Sequence, residues 1–578
     1  MLAQAPALRV RCVGHAGAAR IGLHPVLVCL ATLTALRTAR RPMQADKVTF
    51  HHPAAFWLGC AVVAVGVILH LPMYIMAAPM HFYMADMPMG TEMWLGMALI
   101  PAGVLLAAYG LMPRFKPLGR GTHDGGELQW RVADDVPLNR AHGQLVAVLA
   151  VALTIDVMKP ASIAFVMPGM VAEYDIGMSV AGYLALSALV GTALGSVVWG
   201  RLGDIFGRRA AILLSAILFM GTAICGTMPS FGWNLIMCFL MGAAAGGMLP
   251  IAFALMAETV PSRHRGWLLV ALGGVGTTAG FFAASLAATL LIPEFSWRAL
   301  WLLNLPTGAL IVLLNRYIPE SPRFLANAGR PDRARAVLAH FTAGRSDALA
   351  AIPVQDDDPL PPLRPLQNGL GLILRGRHAR ITAALLVCGL AWGLVNFGFV
   401  LWLPANLQKL ALDAQAISRL MAQSALLAVP GIAVVVWLYQ RWSSFKTLVL
   451  LVALTVVALF VFAAIQLGLL RFEMATIIAT VLLLMAISGV IATLVPYAAE
   501  IYPVHIRGTG SGLIAAGSKA GGILGAVAGV AGLFDSFLLA AVAIALPMLA
   551  AGAMLCRSGV ETKGHELEVI QQRLTQSR

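Results

Sequence analysis

Apolar stretches of about twenty residues, the length that crosses a hydrocarbon core as a helix, recur fourteen times along this chain of 578 residues. Two come early, near 54–77 and 93–112. Six follow near 144–166, 181–199, 210–228, 235–256, 267–291 and 299–317, and six more near 381–404, 419–438, 448–469, 474–496, 509–532 and 537–556. A bilayer core holds no water for backbone groups to bond, so such segments must satisfy themselves as helices. Only 11% of residues are charged against 59% hydrophobic, too little polar surface for a soluble domain. The fold class that follows is an all-α polytopic membrane protein, whose surroundings are the lipid bilayer. The seven cysteines show neither CxxC nor ligand spacing, so no disulfide framework or zinc site is implied.

The net charge of +14 would suit nucleic acid, but its distribution excludes that partner. Arginine and lysine concentrate in 114–143, 200–209, 257–266 and 318–380, with ten arginines from Arg316 to Arg380. The alternate loops 78–92, 167–180 and 228–234 have none, and 405–418 has Lys409 alone. By the positive-inside rule the basic loops and both termini face the cytoplasm, and the expected location is a bacterial inner membrane.

The polar stretch 318–380, with its run Asp356-Asp357-Asp358-Pro359, divides the last twelve spans six and six. The expected organisation is an extension 1–42, two added spans and a loop in 43–143, a six-helix bundle in 144–317, a cytoplasmic linker 318–380, a second bundle in 381–556 and a tail 557–578. The extension carries six arginines, no acid and a weak apolar run from Ile21 to Leu36, without an evident cleavage site. We expect translation to start at Met43.

Ten residues occur twice. Ala257 to Gly266 returns 242 positions later as Ala499 to Gly508, with Ala, Glu, Pro and Arg-Gly in register. Each copy ends one apolar stretch and begins the next. A repeated junction implies two similar bundles, a plan on which transporters place a site between parallel halves.

Gly200-Arg201-Leu202-Gly203-Asp204-Ile205-Phe206-Gly207-Arg208-Arg209 joins the second and third core spans. It is similar to the G-x-L-x-D-x-x-G-R-R/K signature of the major facilitator superfamily. Its glycines are expected to let helices and a tight turn approach closely, and Asp204 to pair with arginine and a helix N-terminus. Pro319-Glu320-Ser321-Pro322-Arg323-Phe324-Leu325 resembles the signature of the branch holding sugar porters, organic-ion transporters and metabolite:proton symporters. The resemblance covers roughly 144–556 and implies two six-helix bundles. It assigns gating roles to Gly200, Asp204, Gly207, Arg208, Arg209, Glu258, Arg265, Glu320, Arg323, Glu500 and Arg507. Glu258 and Glu500 would be clasps that exchange salt bridges as the halves rock, with static caps as the alternative.

Three departures mark this chain. Gln440 stands where the acid of the second-half signature would be. The fifth core span reads Gly273-Gly274-Val275-Gly276-Thr277-Thr278-Ala279-Gly280, without the Gly-Pro common in drug exporters. Cys238, not arginine, precedes Gly242 by four residues, so the proton-relay role of that arginine does not carry over.

Ionisable residues inside spans are costly and are functional candidates by default. Asp156 and Lys159 stand one turn apart midway along the first core span, just before Pro160, and Lys519 lies midway along the eleventh. An i,i+3 spacing also allows a static Asp156–Lys159 pair. One acid against two bases favours an anionic solute such as a carboxylate. Asn396, with Trp392 and Phe397 on the seventh core span, offers hydrogen bonds and aromatic surface, or packing. Eight methionines from Met73 to Met97 cluster with His70 and His81. Thioethers and imidazole suit Cu(I), but methionine is also ordinary filler, and no metal or other cofactor is assigned.

No nucleotide-binding G-x-x-x-x-G-K-[ST] run is present, which disfavours ATP drive. The reading is a monomeric secondary transporter, not an enzyme, coupling protons to uptake of a small organic anion. The rivals are an exporter of drugs or metabolites and a non-transporting sensor with a Met-rich metal receptor.

Overall fold

The computed structural model describes residues 51–112, 137–327, 330–342, 376–408, 413–469, 473–502 and 507–562. The extension 1–42, most of the linker including Asp356 to Asp358, Lys409, and the side chains of Asp204, Arg323 and Arg507 lie outside the described residues.

Among the described residues, fourteen helices are long and apolar enough to cross a membrane. They are α1 Pro53–Met76, α2 Thr91–Leu111, α3 Arg140–Tyr174, α4 Met178–Gly203, α5 Arg208–Thr227, α6 Phe231–Thr259, α7 Arg263–Phe295, α8 Ala299–Tyr317, α9 His378–Gln408, α10 Ala414–Arg441, α11 Ser444–Gln466, α12 Met474–Ala498, α13 Gly512–Val530 and α14 Phe537–Ser558. Hydropathy locates the apolar middle of each, whereas local chemistry sets the ends. Asn139 opens α3 with a capping box: its Oδ1 accepts the His142 N–H at 3.1 Å, and His142 Nδ1 accepts the Asn139 N–H at 3.2 Å. Asp175 ends the same helix in the left-handed region at φ 50°. At 35 residues, α3 is about 50 Å long and projects beyond a hydrocarbon core of about 30 Å.

Packing repeats between the halves. In the first, α3 lies on α7, α4 on α6 and α5 on α8; in the second, α9 lies on α13, α10 on α12 and α11 on α14. Exchanging the halves turns each pairing into its counterpart. Two contacts between the halves obey the same rule, α4 on α13 and α7 on α10, whereas α7 also rests on α12 with no comparable contact of α13 on α6 among the described residues. Two bundles of one design, facing each other, are what the duplicated decapeptide implies.

The added pair is tightly joined. Gly59 on α1 and Gly103 on α2 are buried face to face, and a Cβ at Gly103 would lie 2.8 Å from the Gly59 carbonyl oxygen. Small residues allow such approach where lipid tails give helices no hydrophobic reason to associate. Both helices rest on α5, and Ile100 of α2 lies against Gly221. As a result 94% of the apolar window of α5 is buried, against 39% for α7 or α10. A core helix that would otherwise border lipid is enclosed.

Candidate functional site

Midway along α3, Asp156 and Lys159 are both buried, 8% and 3% exposed. Pro160 has no N–H, so the helix cannot return its usual bond to the Asp156 carbonyl. The i,i+3 spacing does not make an ion pair. The Lys159 ammonium lies against the face of the Phe219 ring on α5 instead, a cation–π contact. Asp156 Oδ1 has no hydrogen-bond partner, although the charges of both Lys159 and Lys519 act on the carboxylate. Lys519 comes from α13, in the other half. Its Nζ stands 5.8 Å from the Phe397 ring centroid.

Phe397 and buried Asn396 belong to a π-helical turn, Leu394–Val400, within α9; such turns cluster at functional sites. Trp392, one turn earlier, donates Nε1–H to the Ile487 carbonyl at 2.8 Å and meets Phe397 edge-on at 5.8 Å. One acid, two lysines and an aromatic pair are thus assembled from both halves at the bundle interface.

At the basic end, Glu320 organises the first junction. Its Oε1 accepts backbone N–H groups from Arg208 at 2.7 Å, Arg209 at 3.4 Å and Ser321 at 3.0 Å. Two of these donors open α5, so the carboxylate caps that helix. Burial pushes the Glu320 carboxyl up to about 7, against the opposing pull of these N–H groups and of Arg209. Gly207 sits at φ +104°, and a Cβ there would strike the Glu320 carboxylate. The expectation for the other signature glycines is corrected: nothing approaches Gly200 within 4 Å of a Cβ position, and Gly203 meets only ordinary contacts from 3.6 Å. Arg208 pairs with Glu258 at 3.5 Å, and buried Arg209 donates to Asn315 Oδ1 at 2.9 Å.

The second junction is built differently. Glu500 accepts from Tyr439 OH at 2.9 Å and from Thr562 Oγ1 at 2.6 Å. Burial raises its carboxyl above the ordinary range, opposed by those hydroxyls. A Cβ on Gly266, in the first half's junction, would lie 3.4 Å from Glu500 Oε1, so the two copies of the repeat face each other. Arg265 Nη2 donates to the Val260 carbonyl at 3.4 Å.

Sequence reasoning missed a polar centre at the opposite end. Arg298, fully buried, donates Nη2–H to Glu173 Oε1 at 2.6 Å and Nε–H to Oε2 at 3.2 Å. Its Nη1 reaches the Met228 carbonyl at 2.9 Å. Glu173 also accepts Trp297 Nε1–H at 2.9 Å and the Met84 N–H at 2.7 Å. A signal existed: Arg298 is an arginine on the face that positive-inside patterning leaves bare. Near it a cavity of about 470 Å³ opens between α3, α7, α9, α10 and the α1–α2 loop. None of Asp156, Lys159, Asn396 or Lys519 lines it. Of the Met/His cluster, Met73, Met84, Met93 and His70 are buried, and His70 Nδ1 meets the Gly66 carbonyl at 2.8 Å.

The profile of the Major Facilitator Superfamily matches residues 146–526. The chain belongs to this superfamily. Superfamily relatives include the niacin transporter NiaP of Acinetobacter baylyi, 27% identical over 76% of this chain and 98% of its own length. The 4-hydroxybenzoate transporter PcaK of Pseudomonas aeruginosa is 26% identical over 73% of this chain and 94% of its own. Among solved structures of the superfamily, the xylose transporter XylE from E. coli in a partially occluded inward-open conformation superposes with a TM-score of 0.59 at 14% identity, over 74% of this chain and all of its own. The superfamily fold accounts for the twelve helices α3–α14, with α1 and α2 added before it. This multi-pass membrane protein is a secondary transporter and not an enzyme.

Proposed function

We propose that the protein carries a small aromatic monocarboxylate into the cell together with protons. The observation that carries this reading is Asp156 Oδ1, buried inside a bundle with no hydrogen-bond partner and acted on by lysines from both halves. An orphaned buried carboxylate oxygen is costly and calls for a functional explanation. Lys519 supplies the charge that a substrate carboxylate needs, and Phe397 and Trp392 supply a surface for a flat ring. Asp156 carries the proton, and Lys159 holds the local charge in balance. Niacin and 4-hydroxybenzoate, named for two relatives, are each one ring bearing one carboxylate.

The bundles 144–317 and 381–556 act as the moving units, with the basic junctions inside a bacterial inner membrane and both termini in the cytoplasm. Asp204, Arg208, Arg209, Glu258, Arg265, Glu320, Arg323, Glu500 and Arg507, turning about Gly200 and Gly207, hold the inner ends together in one state and release them in the other. The protein works as a monomer.

The test is uptake of labelled niacin and 4-hydroxybenzoate by purified protein in proteoliposomes under an inward proton gradient. Saturable accumulation that an uncoupler collapses is expected. Accumulation indifferent to the proton gradient would remove proton coupling, and transport of neither compound would remove the aromatic carboxylate.

A further inference from the structure

The added helices do more than cover α5. Their loop lines the 470 Å³ cavity through His81 and Phe82, together with Trp297 and Glu294 of the first half and Gln408 and Ser418 of the second. A cavity of this size matches those that hold small ligands. Its walls come from both halves, so any rocking between them changes its width.

The loop is held in an improbable shape. His81 and Phe82 are consecutive non-glycine residues in the left-handed region, at φ 54° and 60°, a conformation that persists only where surroundings enforce it. Here they do. The Phe82 N–H bonds the Ala77 carbonyl at 2.9 Å, and its ring stacks on Tyr74 at 4.6 Å. Tyr74 OH donates to the Phe295 carbonyl at 2.5 Å, and the Asp86 N–H to the Pro229 carbonyl at 3.0 Å. Glu173 receives both Met84 of the loop and Trp297 of the cavity wall. The loop is therefore fixed to the first half and presents an exposed imidazole toward residues of the second.

We propose that this cavity is an outer binding site for the transported aromatic carboxylate, and that His81 and Phe82 of the added pair select it. The proposal rests on the function and orientation given above, on which this end faces outward. Phe82 and Trp297 offer aromatic surface, while His81 and Gln408 offer donors for a carboxylate; the Ser418 hydroxyl donates to the Ala414 carbonyl at 3.0 Å. Glu294 is the acid of the lining and opposes an anion. That opposition gives the proposal a sign.

The experiment measures niacin and 4-hydroxybenzoate uptake by full-length protein in proteoliposomes, comparing His81→Ala, Gln408→Ala and Glu294→Gln. His81→Ala and Gln408→Ala should each raise KM three- to tenfold at little cost in maximal rate. Glu294→Gln should lower KM. A parallel readout labels His81→Cys and Gln408→Cys, in a background with Cys12, Cys29 and Cys556 replaced by serine, with a membrane-impermeant thiol reagent; either solute should slow labelling at both positions. Changes confined to maximal rate, or KM unmoved in all three variants, would overturn the outer site while leaving the transport reading intact. A wild-type protein that takes up neither solute overturns both together.

Discussion

Arg298 and Glu173 form a two-point ion pair, 2.6 and 3.2 Å, with the guanidinium wholly shut off from solvent. Such a pair contributes little net stability as a whole, but removing one partner strands a buried charge and costs about 3–5 kcal/mol. Glu173→Gln or Arg298→Gln should therefore lower the melting temperature of the purified protein sharply. The double substitution should cost less than the sum of the two. Additive losses, each no larger than a surface change gives, would rule out the role.

Glu320 gives stability a pH dependence. Its carboxyl, ordinarily at 4.5, is raised by burial to about 7. A raised carboxyl favours the protonated fold, so its contribution is full below pH 4.5 and is lost as pH climbs through 7. Relative to Glu320→Gln, the wild type should lose on the order of 3 kcal/mol between those limits. Melting curves of both proteins across that range decide it. A constant offset between them would show that the group does not titrate there.

Two glycines of one signature should respond in opposite ways. Gly207→Ala must place a side chain at φ +104° against the Glu320 carboxylate, a cost of about 1–3 kcal/mol from the backbone alone. Gly200→Ala meets open space and gains helix propensity. Equal melting temperatures for the two variants would contradict the geometry.

Lys519→Gln should raise KM for a carboxylate solute steeply, with Lys519→Arg keeping part of the affinity. Asp156→Asn should abolish proton-driven accumulation while leaving solute counterflow measurable. PH-jump uptake and counterflow in proteoliposomes separate these outcomes. Unchanged KM and unchanged coupling in every variant would make the residues structural.

Deleting residues 1–113 tests the added pair. The deletion removes an even number of spans, so the core keeps its orientation and transport stays measurable. It also bares α5 and unties Met84 from Glu173, and thermal stability should fall. A truncated protein as stable as the full chain would show that the pair bears nothing for the core.

The spans were legible because hydrocarbon imposes a length and a composition that no other environment does. The bundle symmetry was legible because charged residues recur in register from Glu258 to Arg265 and from Glu500 to Arg507. What escaped was anything depending on contacts between distant segments. Lys159 is next to Asp156 in the helix, yet its ammonium rests on Phe219, sixty positions away. Glu173 and Arg298 lie at span ends, where a charge raises no alarm, and only the fold brings them together. The three signature glycines read alike, and only φ at Gly207 tells them apart.

Chain order gives the enclosure of α5 a further meaning. Synthesis runs from the N-terminus, so α1 and α2 enter the bilayer before α5 is made. The face of α5 around Gly221 then has a prepared surface, including Ile100 and Val63, in place of acyl chains. Mutations on that face answer to two protein helices, and a change of bilayer thickness or lipid type reaches this part of the bundle through α1 and α2 first.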